Sequence, residues 1–112
     1  GDIPVTRPMR AEEVQRDYEG HTGRVIVERF AELSLDPMRT PGVLIANHGP
    51  FAWGPDPFKA VEHAEMIEFL ARLEWRVRTL APDAPLPDDF LIDRHFTRKH
   101  GPTAYYGQER SR

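Results

Sequence analysis

The stretch Pro41-Gly42-Val43-Leu44-Ile45-Ala46-Asn47-His48-Gly49-Pro50-Phe51-Ala52-Trp53-Gly54 decides how this chain is read. Val43 to Ala46 is a short apolar run entered through a Pro-Gly turn, and it reads as a buried strand. Gly49-Pro50 is expected to stop that strand, which leaves His48 at its end. A histidine held there, with no side chain on the next residue, is well placed to ligate a metal. The alternative is a histidine that hydrogen-bonds a loop backbone. No His-x-x-x-His or His-x-His pair accompanies it, so both readings stay open. Phe51 and Trp53 read as core, or as a wall beside the His48 loop.

Working outward, Asp56-Pro57 marks a helix start, because Asp caps well and Pro suits the first turn. Met66, Leu70, Leu73, Val77 and Leu80 then recur at helical spacing. Ala81 to Pro87 is a proline-rich loop. Asp88 can cap a last helix that ends before Gly101-Pro102. Toward the N-terminus, Ile3 to Pro8 should be extended, since residues before proline avoid the helical region, and Ile3 to Thr6 is a candidate sheet edge. Ala11 to Tyr18 has a helical pattern that Gly20 and Gly23 interrupt, and Thr22 can cap a new segment. Val25 to Leu33 is read as helix, with Ile26, Phe30 and Leu33 on one face. The order helix, strand, helix, helix gives an α/β layer fold. A lone strand needs partners, so the chain is expected to be incomplete or obligately associated.

Composition narrows the function classes. The 112 residues, 39% hydrophobic and 29% charged, suit one globular domain. The longest apolar stretch, Gly42 to Ala46, is far short of the roughly 20 residues of a membrane span. No signal peptide is visible, and a cytoplasmic location is the expectation. Without cysteine there are no disulfides or thiolate metal sites. A net charge of -3 with scattered basic residues gives no nucleic-acid footprint.

Outside the His48 segment, Asp93-Arg94-His95-Phe96-Thr97-Arg98-Lys99-His100-Gly101 carries basic groups able to meet a phosphate. A solvated helix end, favoured by the helix dipole, is the plainer reading. Tyr105 and Tyr106 either pack or supply one phenol for proton transfer. Glu19 reads either as a carboxylate at a helix break or, more plainly, as an exposed surface group. His21, His63 and His100 offer no reason to prefer a functional role.

Together these blocks resemble the second half of the L-ribulose-5-phosphate 4-epimerases of the class II aldolase type. The carriers are Gly1-Asp2-Ile3-Pro4-Val5-Thr6-Arg7-Pro8-Met9, Tyr18-Glu19, Thr22-Gly23 and Val25-Ile26-Val27-Glu28, followed by the His48 block. Leu91-Ile92-Asp93-Arg94-His95-Phe96, Arg98-Lys99-His100-Gly101 and Ala104-Tyr105-Tyr106-Gly107-Gln108 complete the series in family order. The resemblance implies a three-layer α/β/α fold with a largely antiparallel central sheet, of which residues 1–112 would be the C-terminal half of one domain. It also implies a homotetramer with active sites between subunits. The reaction implied interconverts L-ribulose 5-phosphate and D-xylulose 5-phosphate, by retro-aldol cleavage, rotation of the aldehyde and re-formation of the bond. Zinc held by three histidines is the implied cofactor.

On this pattern His48 resembles the third zinc ligand, and Tyr106 the tyrosine that a neighbouring subunit contributes as acid or base. His95 and Glu19 resemble supporting active-site residues. The other two zinc histidines, a catalytic aspartate and the phosphate-binding loops belong upstream of the Gly1 block. Ala46 departs from relatives that often carry a histidine two residues before the ligand. The chain alone is therefore expected to be inactive and to hold zinc weakly. A related sugar-phosphate aldolase, or a silent interaction module like the adducin branch, remains an alternative.

Overall fold

A hairpin lies at the centre of the chain, and a helix from each side packs on it. The computed structural model describes residues 2–102, 104 and 105. Helix α1 spans Ala11–Glu32, β1 spans Gly42–Ile45, β2 spans Gly49–Ala52, α2 spans Pro57–Leu80 and α3 spans Asp89–His100. The strands are antiparallel, pairing Gly42 with Ala52, Val43 with Phe51, Leu44 with Pro50 and Ile45 with Gly49.

The strand expected to end at Gly49-Pro50 instead turns and returns as β2. Proline is tolerated there because of the pairing phase. The Leu44 N–H donates to the Pro4 carbonyl, and the Leu44 carbonyl accepts from Thr6 N–H, each at 2.9 Å. Both Leu44 backbone groups thus face the 4–6 segment. Leu44 and Pro50 form a non-hydrogen-bonded pair that asks no donor of the proline. The expected extended edge at Ile3 to Thr6 is present as a parallel bridge between Val5 and Leu44.

The core is small. Val43 is 0% exposed and Val25 1%, with Phe30, Ile45 and Ile67 also buried. Val25 and Phe30 come from α1, Val43 and Ile45 from one face of β1, and Ile67 from α2. That alternation along β1 is the two-residue period of a strand with one face covered. Trp53 closes one side. Its ring packs on Phe30 at 5.4 Å, and its indole N–H donates to the Pro37 carbonyl at 2.9 Å.

Helix α1 is broken, though not where the glycines stand. Asp17 (φ -158°, ψ 73°) leaves helical geometry, and its carboxylate accepts the Gly20 N–H at 3.2 Å. A short polar side chain that captures a nearby N–H competes with the helix ladder, and here it wins. Gly23 sits within the helix. Thr22 does not cap a new segment, because its hydroxyl donates back to the Tyr18 carbonyl at 2.7 Å. The start of α1 is fixed by Glu13, whose carboxylate accepts Arg10 N–H at 2.7 Å and takes two bonds from Arg7, at 2.8 and 2.9 Å. Arg7 also donates to Glu28 at 3.0 Å, so the extended N-terminal segment is tied to both parts of α1. The Arg7 hydrogen bonds, then the Arg10 backbone bond, hold the Glu13 carboxyl down at about 2. The same Glu13 and Glu28 bonds raise the Arg7 pKa.

Helix α2 starts as expected, with Asp56 Oδ1 accepting Lys59 N–H at 2.9 Å and Pro57 in the first turn. The expected apolar stripe does not face this chain's core. Met66, Leu70, Leu73, Val77 and Leu80 are all exposed, and the docking residue is Ile67, over Gly42. Asp88 stands at the N-cap of α3, but its side chain makes no capping bond. Arg39 holds α3 to the loop before β1. It pairs with Asp93 at 3.1 Å and lies 4.2 Å from the Phe96 ring centroid. At the level the described residues show, the architecture is α/β: three helices and a two-stranded antiparallel sheet, with α1 and α2 packed on the sheet.

Candidate functional site

His48 sits in the turn of the hairpin, beyond the end of β1, and is exposed. Three features make the turn rigid. The His48 N–H donates to the Ile45 carbonyl at 3.0 Å. Asn47 takes φ 62°, a left-handed conformation that asparagine tolerates better than most residues. Gly49 takes φ 145°, which side chains disfavour. Gly49 is therefore needed for its backbone angle. A Cβ there would meet nothing within 4 Å, so the space beside His48 is open as well.

Two rings flank the His48 imidazole. Phe51 lies 5.3 Å away across the hairpin, and Tyr18 lies 5.9 Å away on α1, measured between centroids. The expectation of a wall beside His48 is met by Phe51, while Trp53 serves the core. Tyr18 had no role of its own in the sequence reading. Its signal was its place in the Tyr18-Glu19 block of the resemblance, and no periodicity links α1 to a turn so distant in sequence. The α1 kink and the hairpin turn bring Tyr18 to His48. Glu19 follows Tyr18 on α1 as an exposed residue, and no ring pair or hydrogen bond among the described residues joins it to His48.

His95 is exposed on α3, with Nδ1 3.4 Å from Arg98 Nη2. Phe96 and His100 stack at 4.9 Å on the same helix. Asp93 is engaged by Arg39, so the anionic member of this basic cluster is already paired. No ring contact or hydrogen bond among the described residues joins His95 to His48. Tyr106, the expected acid or base, lies outside the described residues. His63 has a structural use: its Nδ1 meets the Trp53 carbonyl at 2.7 Å and ties α2 to the end of β2.

A catalytic zinc site normally takes three protein ligands and one open position. Among the described residues no three His, Cys, Asp or Glu side chains converge as a metal group. His48 fits as one exposed imidazole donor on a rigid turn, and the remaining donors would have to come from outside these residues. No described helix is long and apolar enough to cross a membrane.

Residues 1–75 match the family described as Class II Aldolase and Adducin N-terminal domain. The chain is also 50% identical, over 109 residues, to an L-ribulose-5-phosphate 4-epimerase UlaF of Salmonella typhi and to one of Salmonella paratyphi A. A third, from Salmonella choleraesuis, is 49% identical over the same length. Each alignment covers 97% of this chain and 47% of the relative, so the chain spans about half the length of the curated relatives it matches. The chain belongs to the class II aldolase and adducin family.

Proposed function

From that membership we propose that this chain is part of an L-ribulose-5-phosphate 4-epimerase, the C-terminal half of a three-layer α/β/α domain. The observation that carries the reading is 50% identity across 97% of the chain to relatives bearing that name. The exposed imidazole on a rigid turn supports it. The substrate pair is L-ribulose 5-phosphate and D-xylulose 5-phosphate, interconverted by C–C cleavage and re-formation. The homotetramer, with sites between subunits, is part of the same proposal, as is a cytoplasmic location.

His48 supplies one nitrogen to a zinc ion whose other ligands come from the rest of the protein. Zinc, when bound, acts as a Lewis acid toward the negative charge that appears on cleavage. Glu19, next to Tyr18 in the chain, is the carboxylate that the family pattern points to and can hold or move a proton there. Tyr106 is the acid–base group: a phenol with an ordinary pKa near 10 is protonated at neutral pH and so enters as an acid. Arg98, with His95 beside it, presents a guanidinium to an anionic substrate.

The test uses the intact protein. It should convert L-ribulose 5-phosphate to D-xylulose 5-phosphate, and His48→Ala should lose zinc and activity together while its circular dichroism is retained. Tyr106→Phe should keep zinc and lose about 10²–10⁴-fold in turnover. Mixing Tyr106→Phe with His48→Ala subunits should restore part of the activity if the tyrosine serves a neighbour. Cleavage to free aldehyde without epimerisation would identify an aldolase instead. Inertness toward sugar phosphates in a zinc-loaded protein would refute the enzymatic reading.

A further inference from the structure

We propose that Tyr18 is a positioning residue: the kink of α1 at Asp17 sets its ring against His48, and with Phe51 it holds the imidazole in its metal-donating orientation. The inference rests on the reading of His48 as a zinc ligand and adds how that ligand is aimed.

The argument begins with what the turn alone can fix. Asn47 at φ 62°, Gly49 at φ 145° and the His48 N–H bond to Ile45 set the His48 backbone. They leave its two side-chain torsions free, and an exposed imidazole distributes over several rotamers. A metal site built on it would pay that ordering on every binding event. Rings on two different elements remove the freedom. Phe51 lies at 5.3 Å with planes 43° apart, and Tyr18 at 5.9 Å with planes 38° apart. Both separations fall in the range of about 4.5–7 Å where aromatic pairs attract.

Tyr18 immediately follows the one residue of α1 that leaves helical geometry. The break is built in. Asp17 folds its carboxylate back to accept the Gly20 N–H, and a Cβ on residue 20 would overlap that carboxylate. Only glycine there lets the aspartate keep this pose. On the other side, buried Thr22 donates to the Tyr18 carbonyl at 2.7 Å and lies 3.6 Å from Met9 Sδ, which anchors the turn that carries Tyr18. Two departures from regular backbone, at Asp17 and at Asn47, thus meet across one ring contact.

The experiment measures zinc release to a chelator from the intact zinc-loaded protein, alongside elemental analysis, for Tyr18→Ala, Tyr18→Phe, Gly20→Ala and His48→Ala. Groups that orient a metal ligand are typically worth about 10–100-fold in metal affinity. Tyr18→Ala should release zinc about 10-fold faster or more, while Tyr18→Phe, which keeps the ring, should match the parent. Gly20→Ala touches neither ring yet should behave like Tyr18→Ala, because it displaces Asp17. The proposal is overturned if Tyr18→Ala holds zinc as the parent does while His48→Ala is zinc-free, or if Tyr18→Phe is as poor as Tyr18→Ala. Parent-like release by Gly20→Ala would refute the role of the kink. A His48→Ala protein that still holds zinc would instead overturn the assignment of the ligand itself.

Discussion

Gly42→Ala is the most informative single methyl to add to this chain. Gly42 opens β1 where α2 crosses, and a Cβ there would overlap Ile67 Cδ1 and stand 3.2 Å from the Phe51 carbonyl oxygen. Two carbons sit comfortably at about 3.5–4.0 Å, so something must move. The carbonyl belongs to β2 and cannot yield without disturbing the hairpin. Ile67 is buried, and forcing it off its rotamer costs about 0.5–1.5 kcal/mol. Overpacking of a close-packed core generally costs about 1–3 kcal/mol. Against this, replacing Gly by Ala stiffens the unfolded chain, worth about 0.4–1 kcal/mol in the opposite direction. The net expectation is a loss of about 1–2 kcal/mol. Ile67→Val removes the Cδ1 that the new methyl would strike. Alone it should cost about 0.5–1.5 kcal/mol, as such truncations do. In the double variant the clash has lost its partner, so the combined loss should fall about 1 kcal/mol below the sum of the singles. Denaturant melts of the four proteins measure this, read at constant m-value. Additivity within about 0.3–0.5 kcal/mol, or a stabilised Gly42→Ala, would refute this packing of α2 on β1.

Gly49→Ala should destabilise through backbone angle alone, since φ is 145° and open space surrounds the site; circular dichroism melts should place it well below Gly23→Ala, which adds a methyl at an uncrowded helical position. Glu13 has its carboxyl lowered from 4.5 to about 2, chiefly by Arg7, so its contribution is whole above pH 4.5 and is lost as pH falls toward 2. Glu13→Gln should therefore be less stable than the parent at neutral pH, with the gap closing through that window, and a gap unchanged by acid would show that the carboxylate's charge is not what matters. Asp56→Ala should cost about 1 kcal/mol by removing the cap on Lys59 N–H, and Asp56→Ser should recover most of it in the same melts.

Much of this chain could be read from its residues because the signals were local. Asp56-Pro57 fixed the start of α2 through capping chemistry and a preset φ, and Gly101-Pro102 marked the end of α3. The extended Ile3 to Thr6 segment followed from prolines that forbid helix. His48 stood out by its place between an apolar run and a glycine, a place that a histidine bonded to loop backbone fits as well, and its metal role came from the family resemblance. The family followed from the order of short motifs.

What the sequence left undecided depended on partners far along the chain. Gly49-Pro50 reads as a stop until the Leu44 backbone is seen to bond the 4–6 segment, which frees Pro50 from any need to donate. The helix break was visible as glycines, but its position depended on which carboxylate could reach a free N–H, and Asp17 took that of Gly20. The spacing of Met66, Leu70, Leu73, Val77 and Leu80 announced an apolar face without saying what would cover it. In the folded chain Ile67, one position around the helix from Met66, makes the buried contact instead. Tyr18 reached His48 only through the tertiary fold, because a ring contact between a kinked helix and a hairpin turn leaves no periodic trace in the sequence. Periodicity and capping act over a few residues, whereas docking and ligand aim are set by surfaces that meet only once the chain has folded.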